Sequence, residues 1–178
     1  MHMKSLILTF LLAMFTTLSF SQEASYGVRG GLNISNLDFD PDATFTNQHR
    51  NGFAFGVFAD YGINDNFSVQ VEIQYSAEGG KADNLRADYI QMPIMARFSL
   101  GEKFTLGIGP MASLKTWKEQ DAFSTFTFSG VGGIEYMIND ELFVDARVHY
   151  GLSNILDDDL TNLEAQNTTF QFGFGIRI

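Results

Sequence analysis

Two histidines stand beyond the first twenty residues, His49 and His149, and His149 shares a stretch with Asp145 and Ser153. An imidazole between a hydroxyl and a carboxylate activates a serine nucleophile, so a lipid-cleaving site can be drawn from these three. Their spacing follows no known catalytic pattern, and geometry has to precede such a claim. A second chemistry is the binding of a hard cation, which wants several oxygen ligands. Asp38-x-Asp40-x-Asp42 and the run Asp157–Asp159 supply carboxylates, but neither carries the glycine and closing glutamate of an EF-hand loop. A solvated acidic surface is the simpler account of such runs. There is no cysteine, which excludes disulfides, thiolate metal sites and a lipid-bearing cysteine. No phosphate loop or nucleotide fingerprint is present, and no cofactor is called for.

The third set is larger. Arg29, Asp60, Glu72, Arg97, Lys115, Glu135, Asp145, Arg147 and Arg177 lie in segments whose apolar residues alternate with polar ones. Five basic and four acidic groups nearly balance, as charges must if they are packed together away from water. Their chemistry is mutual pairing, so the elements that carry them matter more than any one side chain.

Period-two alternation runs from Tyr26 to Ile178 without a convincing helical stretch. It predicts eight strands, about 26–35, 53–61, 67–76, 89–100, 104–115, 125–138, 142–150 and 169–178. Short breaks fall at Asn64-Asp65-Asn66, Gly101-Glu102-Lys103 and Asn139-Asp140-Glu141, which suit tight turns. Longer, polar breaks cover 36–52, 77–88, 116–124 and 151–168. Short and long connections therefore alternate, putting all turns at one end and all loops at the other. Transmembrane barrels have this layout, with short periplasmic turns and longer extracellular loops. About ten residues per strand at about 3.3 Å rise, tilted by roughly 40°, give a band near 25 Å tall. That height fits a membrane.

The start of the chain is different. Lys4 is the only charge before Glu23, Leu6 to Leu18 is nearly all apolar, and Ser19 and Ser21 precede Gln22. A basic start, a short apolar core and small residues at the cut describe a signal peptide over 1–21, leaving 22–178 as the folded domain. The apolar run is short for a membrane helix, which takes about 20 residues. Removing the leader takes away only Lys4 of 11 Lys+Arg, leaving 10 against 21 Asp+Glu. So acidic a chain repels nucleic acid. The long loops hold twelve of the acidic residues (Asp38, Asp40, Asp42, Glu78, Asp83, Asp88, Glu119, Asp121, Asp157, Asp158, Asp159 and Glu164) against Arg50, Lys81, Arg86 and Lys118.

Sorting the strands by parity gives a face of 43 positions with no charge, where the chain-wide 18% would place about eight. Val28, Leu32, Phe55, Val71, Ile94, Ile108, Ile134, Val148 and Phe172 are typical of it. An Arg or Lys facing lipid costs about 2–4 kcal/mol at the midplane, which accounts for the exclusion. The opposite face carries the nine charged residues, four glutamines and many Gly and Ser, and truncating one of those glutamines, Gln70, is expected to be mild. A soluble lipocalin-like barrel would turn the same faces the other way. Against that stand a polar face with a single lysine and a cluster of aromatics at the short-turn end: Tyr26, Tyr61, Phe67, Phe98, Phe104 and Tyr136. No tail is expected after the last strand. Pro93 and Pro110 fall inside strands, where each removes a ladder hydrogen bond and suggests a bulge.

Particular stretches also resemble a known family. Gly31-Leu32-Asn33-Ile34-Ser35, Gly52-Phe53-Ala54-Phe55-Gly56-Val57-Phe58 and Tyr89-Ile90-Gln91-Met92-Pro93-Ile94 come in order, followed by Gly107-Ile108-Gly109-Pro110, Asp145-Ala146-Arg147 and Tyr150-Gly151-Leu152. Together they resemble the porin-family outer-membrane β-barrel domain of Gram-negative bacteria over essentially the whole mature chain. The resemblance implies an all-β, up-and-down antiparallel barrel in outer-membrane lipid, and prolines like these two recur in its pattern. The terminal Gln171-Phe172-Gly173-Phe174-Gly175-Ile176-Arg177-Ile178 looks like the signal read by the barrel-assembly machinery, which usually ends on an aromatic where this chain has Ile178.

An eight-stranded interior is normally filled by side chains. The leading expectation is therefore a monomeric, non-enzymatic barrel with a structural or surface-interaction role through its acidic loops, its ligand unnamed by the sequence. A narrow porin-like channel is the alternative, and a lipid-modifying enzyme the third.

Overall fold

The computed structural model describes residues 24–42, 44–45, 47–116, 123–156 and 164–178. The expected leader, along with Lys118, Glu119, Asp121 and Asp157–Asp159, lies outside the described residues. Eight antiparallel strands form a closed barrel, each bonded to the next and the last to the first. They are β1 Ala24–Asp40, β2 Arg50–Asn64, β3 Phe67–Gly79, β4 Arg86–Leu100, β5 Phe104–Lys115, β6 Phe126–Met137, β7 Leu142–Gly151 and β8 Glu164–Arg177. β1 and β8 close it over fourteen pairs, from Gly27 opposite Arg177 to Asp40 opposite Glu164. At the seam the Tyr26 and Ile178 backbones exchange hydrogen bonds of 3.1 and 2.6 Å. Closure leaves no edge strand, so every backbone polar group within the wall can pair away from water.

The strands reach further at the long-loop end than alternation predicts. β1 continues to Asp40, β2 begins at Arg50, β3 continues to Gly79, β4 begins at Arg86 and β8 begins at Glu164. Beyond the bilayer a strand gains nothing from an apolar outer face, so alternation fades although the ladder continues. The prolines also depart from expectation. Neither pairing β3–β4 nor β4–β5 changes register around Pro93, and Pro110 stays opposite Gly130. Pairs are missing beside Pro93, but no residue is inserted: a lost N–H interrupts the ladder without bulging it. Among the described residues the one irregular register lies between Gly62 and Asn64, next to the β2–β3 turn.

The faces separate cleanly. Leu32, Ile108 and Phe174 are 65–69% exposed, within a belt of exposed Phe, Ile, Val and Leu around the whole wall. Soluble monomers rarely expose apolar patches beyond a few hundred Å². Arg29, Glu72, Arg97 and Gln171 are meanwhile buried in the middle. Apolar outside and polar inside is the reverse of a lipocalin. Phe67–Phe98 and Phe104–Tyr136, each with ring centroids 5.0 Å apart, mark the short-turn rim. A second aromatic group, Phe53, Phe55 and Tyr75, marks the long-loop rim. Among the described residues no helix is long and apolar enough to cross a membrane; crossing is the strands' task.

Candidate functional site

Inward positions on an eight-stranded wall converge on one axis, so residues distant in sequence meet. Near the short turns, Arg97 donates to Asp60 Oδ2 at 2.8 Å and to Glu135 Oε1 and Gln70 Oε1, both at 2.5 Å. Arg177 approaches the same two carboxylates, at 3.0 Å from Glu135 and 3.5 Å from Asp60. Its guanidinium also lies over the Phe58 and Phe143 rings, 5.9 and 5.8 Å from their centroids. This stack covers the lumen's inner end.

At mid-height Arg29 grips Asp145 through two hydrogen bonds, Nε to Oδ2 at 3.0 Å and Nη2 to Oδ1 at 2.5 Å. It also donates to Gln171 and Gln74, and lies 3.4 Å from Glu72. Arg147 donates to Glu72 Oε2 at 2.7 Å and stands 3.7 Å from Asp145. The two arginines and two carboxylates thus form a ring across the lumen. Gly173 makes room for it: a Cβ there would lie 2.5 Å from Arg29 Nη2 and 2.8 Å from Asp145 Oδ1. Bidentate guanidinium pairs are the geometry in which buried charges best recover their lost hydration.

A third layer lies above. Glu78 accepts from Ser76 (2.7 Å), Gln91 (3.0 Å) and Asn167 (2.6 Å). His149 Nδ1 lies 3.5 Å from Glu78 Oε1, and Asn33, Ser35, Thr169 and Gln171 extend the network. Over it sits an apolar cap of Leu37, Leu85, Ala87, Tyr89, Phe123, Ile155, Leu156 and Ala165. Between the charged layers, a cavity of about 20 Å³ lined by Gln70, Met95, Arg97 and Arg147, among others, has room for about one water.

Eight of the nine charged residues singled out from the sequence therefore meet in two clusters. Lys115 does not join them. It is the last residue of β5, half-buried at the outer mouth, where Nζ donates to the Phe123 carbonyl at 2.6 Å. Glu78 moves the other way, from an expected loop to a buried strand position. The signal for it was present, since Gln70, Glu72, Gln74 and Ser76 precede it at even spacing. Nothing comparable announced the cap, because Ile155 and Leu156 belong to a segment between strands.

The serine–histidine–acid set is not assembled. Asp145 is held by Arg29 and Arg147, while Ser153 bonds the Phe128 backbone. Four residues of rise, roughly 13 Å, separate Asp145 from His149 along one strand. Asp38 and Asp40 are exposed, and among the described residues no group of three or more His, Cys, Asp or Glu is placed to hold a metal ion.

Comparison with other proteins agrees with this architecture. No curated protein matches the chain. Among solved structures, neisserial surface protein A superposes with a TM-score of 0.58 at 16% identity, covering 86% of this chain and 97% of that one. Ail, the attachment invasion locus protein of Yersinia pestis, in complex with the heparin analogue sucrose octasulfate, gives 0.54 at 17%, covering 88% and 99%. The same Yersinia protein in a phospholipid bilayer nanodisc gives 0.55 at 16%, covering 88% and 100%. At such identities the likeness is one of fold. Residues 7–177 match the family described as "Outer membrane protein beta-barrel domain", and the chain belongs to that family of Gram-negative outer-membrane proteins.

Proposed function

We propose that this outer-membrane barrel is a closed structural scaffold whose extracellular loops form its working surface. The observation that carries the reading is the stack across the lumen: the Phe58–Phe143–Arg177 end, two arginine–carboxylate clusters, the Glu78 layer and the apolar cap. A solute crossing it would have to break buried ion pairs, and each charge stranded without its partner costs several kcal/mol. Reconstitution of pure protein in planar bilayers tests this. Baseline current is expected, and reproducible unitary steps would favour the narrow channel instead.

A non-catalytic role accords with the engagement of Asp145, His149 and Ser153 in separate contacts. Activity on labelled lipid that is lost in His149→Ala would revive the enzyme. The relative bound to sucrose octasulfate takes a polyanion, whereas the segments read as long loops here hold, without the buried Glu78, eleven acidic against four basic residues. Partners that meet these carboxylates are accordingly cationic or neutral. The same reading includes removal of 1–21 on export, delivery by the assembly machinery through the β8 strand, and a monomeric state in lipid.

A further inference from the structure

Lys103 lies in a short turn at the inner end, and Lys115 is held at the outer mouth by the Phe123 carbonyl. The other basic residues described on the extracellular side, Arg50, Lys81 and Arg86, are gathered on one part of the rim. With Gln48, His49 and Asn51 they line one cleft of about 680 Å³ at the extracellular rim, and no carboxylate lines it. Elsewhere on that rim the outward positions of β1 and β8 hold Asp38, Asp40 and Glu164, with Asp40 opposite Glu164. The rim is therefore unevenly charged: over β2–β4 three basic residues exceed Asp83 and Asp88, which pair with Arg86 and Arg50, whereas β1 and β8 present Asp38, Asp40 and Glu164.

The cleft is built rather than incidental. Lys81 N–H donates to the Gln48 carbonyl at 3.0 Å, Gly80 N–H to the Leu85 carbonyl at 2.7 Å, and His49 pairs with Gly80 as an isolated bridge. Arg50 is pinned by the Glu78 carbonyl at 2.6 Å and by Asp88 at 2.8 Å, both through Nη1. Asp88 also accepts from Tyr75 Oη at 2.9 Å, and Tyr75 belongs to the aromatic group that ends the lipid face. Arg86 pairs with Asp83 at 2.9 Å, but half of its side chain stays exposed.

Depth decides what such a cleft meets. Asn51 lies two residues beyond Phe53 on the outward row of β2, His49 precedes that strand four residues from Phe53, and Arg86 lies four beyond Ile90 on β4. At about 3.3 Å per residue and a tilt near 40°, that is about 5–10 Å past the last lipid-facing side chains. The polar headgroup layer is about 5–8 Å thick on each side of the hydrocarbon. We propose that this cleft binds the phosphorylated headgroup of an outer-leaflet lipid, with Lys81 and Arg86 as the principal phosphate contacts and Arg50 fixing the wall behind them. Guanidinium forks and an ammonium are the side chains that recognise phosphate oxygens. A lipid is the fitting source, since its tails hold it at this depth beside Phe53 and Tyr75, while the acidic remainder of the molecule repels free anions.

The test uses the full mature chain refolded in phosphatidylcholine nanodiscs containing a minority of phosphatidic acid, followed by native mass spectrometry of retained lipid. One phosphatidic acid is expected to persist on the wild type. The double variant K81Q/R86Q is expected to lose it by roughly tenfold or more, since each basic side chain at a membrane surface contributes several-fold. Both residues are exposed, and the unboiled gel mobility of the variant checks that it folds. D38N/D40N, on the acidic side, should retain the lipid. Equal retention by K81Q/R86Q overturns the proposal, as does full displacement by inorganic phosphate, which would mark a free-anion site.

Discussion

At the level of single residues, the interior is a set of shared charges rather than isolated pairs. Asp60 and Glu135 each face both Arg97 and Arg177. Removing one cation leaves the other to move in, so Arg97→Leu should cost about 3–5 kcal/mol at most. Arg97→Leu combined with Arg177→Leu should cost more than the sum of the single changes, because the backup is gone. Urea unfolding in detergent micelles measures both, and strictly additive losses would argue that the two arginines do not share partners. Gly173→Ala acts on the other cluster by pushing into the Arg29–Asp145 contact, where a Cβ has 2.5–2.8 Å of room. A loss of about 1–3 kcal/mol is expected from such overpacking, and an unchanged unfolding midpoint would mean the ring yields freely. The identities of eight of these charges were legible from parity alone. Their partners were not, because parity says which side a residue faces and nothing about what stands across the lumen.

At the level of the strand, alternate residues live in different solvents. Val71 and Gln70 are neighbours on β3, one facing outward and the other 2% exposed within the lumen. Val71→Arg should impair membrane insertion, at about 2–4 kcal/mol near the midplane. Folding yield into lipid vesicles, read by protease protection, is the measurement, and normal yield would mean the faces are reversed. Gln70→Ala is no longer expected to be mild. Gln70 accepts from Arg97 and donates to Glu72, so truncation leaves buried charges short of partners and lowers stability by about 1–3 kcal/mol with insertion intact. Strand existence, order and facing were readable because lipid forbids charge on every second residue. Strand ends at the outer side were not, because past the bilayer that prohibition lapses while backbone pairing carries on from Gly79 to Arg86 and from Asp40 to Glu164.

At the level of the whole molecule, closure is what converts eight hairpin-linked strands into a membrane protein. The seam between β1 and β8 is as continuous as any other pairing and is fastened at its end by Tyr26 and Ile178. A barrel without edges resists detergent until heated, so unboiled protein should migrate faster on a gel than boiled protein. Identical mobilities would contradict a closed, detergent-stable wall. The electrostatics of the assembled rim also belong to this scale: Arg50 and Arg86 are far apart in sequence and come to one cleft only because β2 and β4 both border β3.

The amino-acid sequence by itself determined the class of fold, the number and order of strands, and which face meets lipid. Those properties follow from repeated local choices between water and hydrocarbon, and each strand states them independently. The tertiary structure alone decided the pairing of Arg29 with Asp145 and Glu72, the placing of Glu78 inside and Lys115 at the mouth, and the apolar cap. These depend on the stagger with which the strands close around a common axis, a long-range geometry that no single stretch of residues encodes.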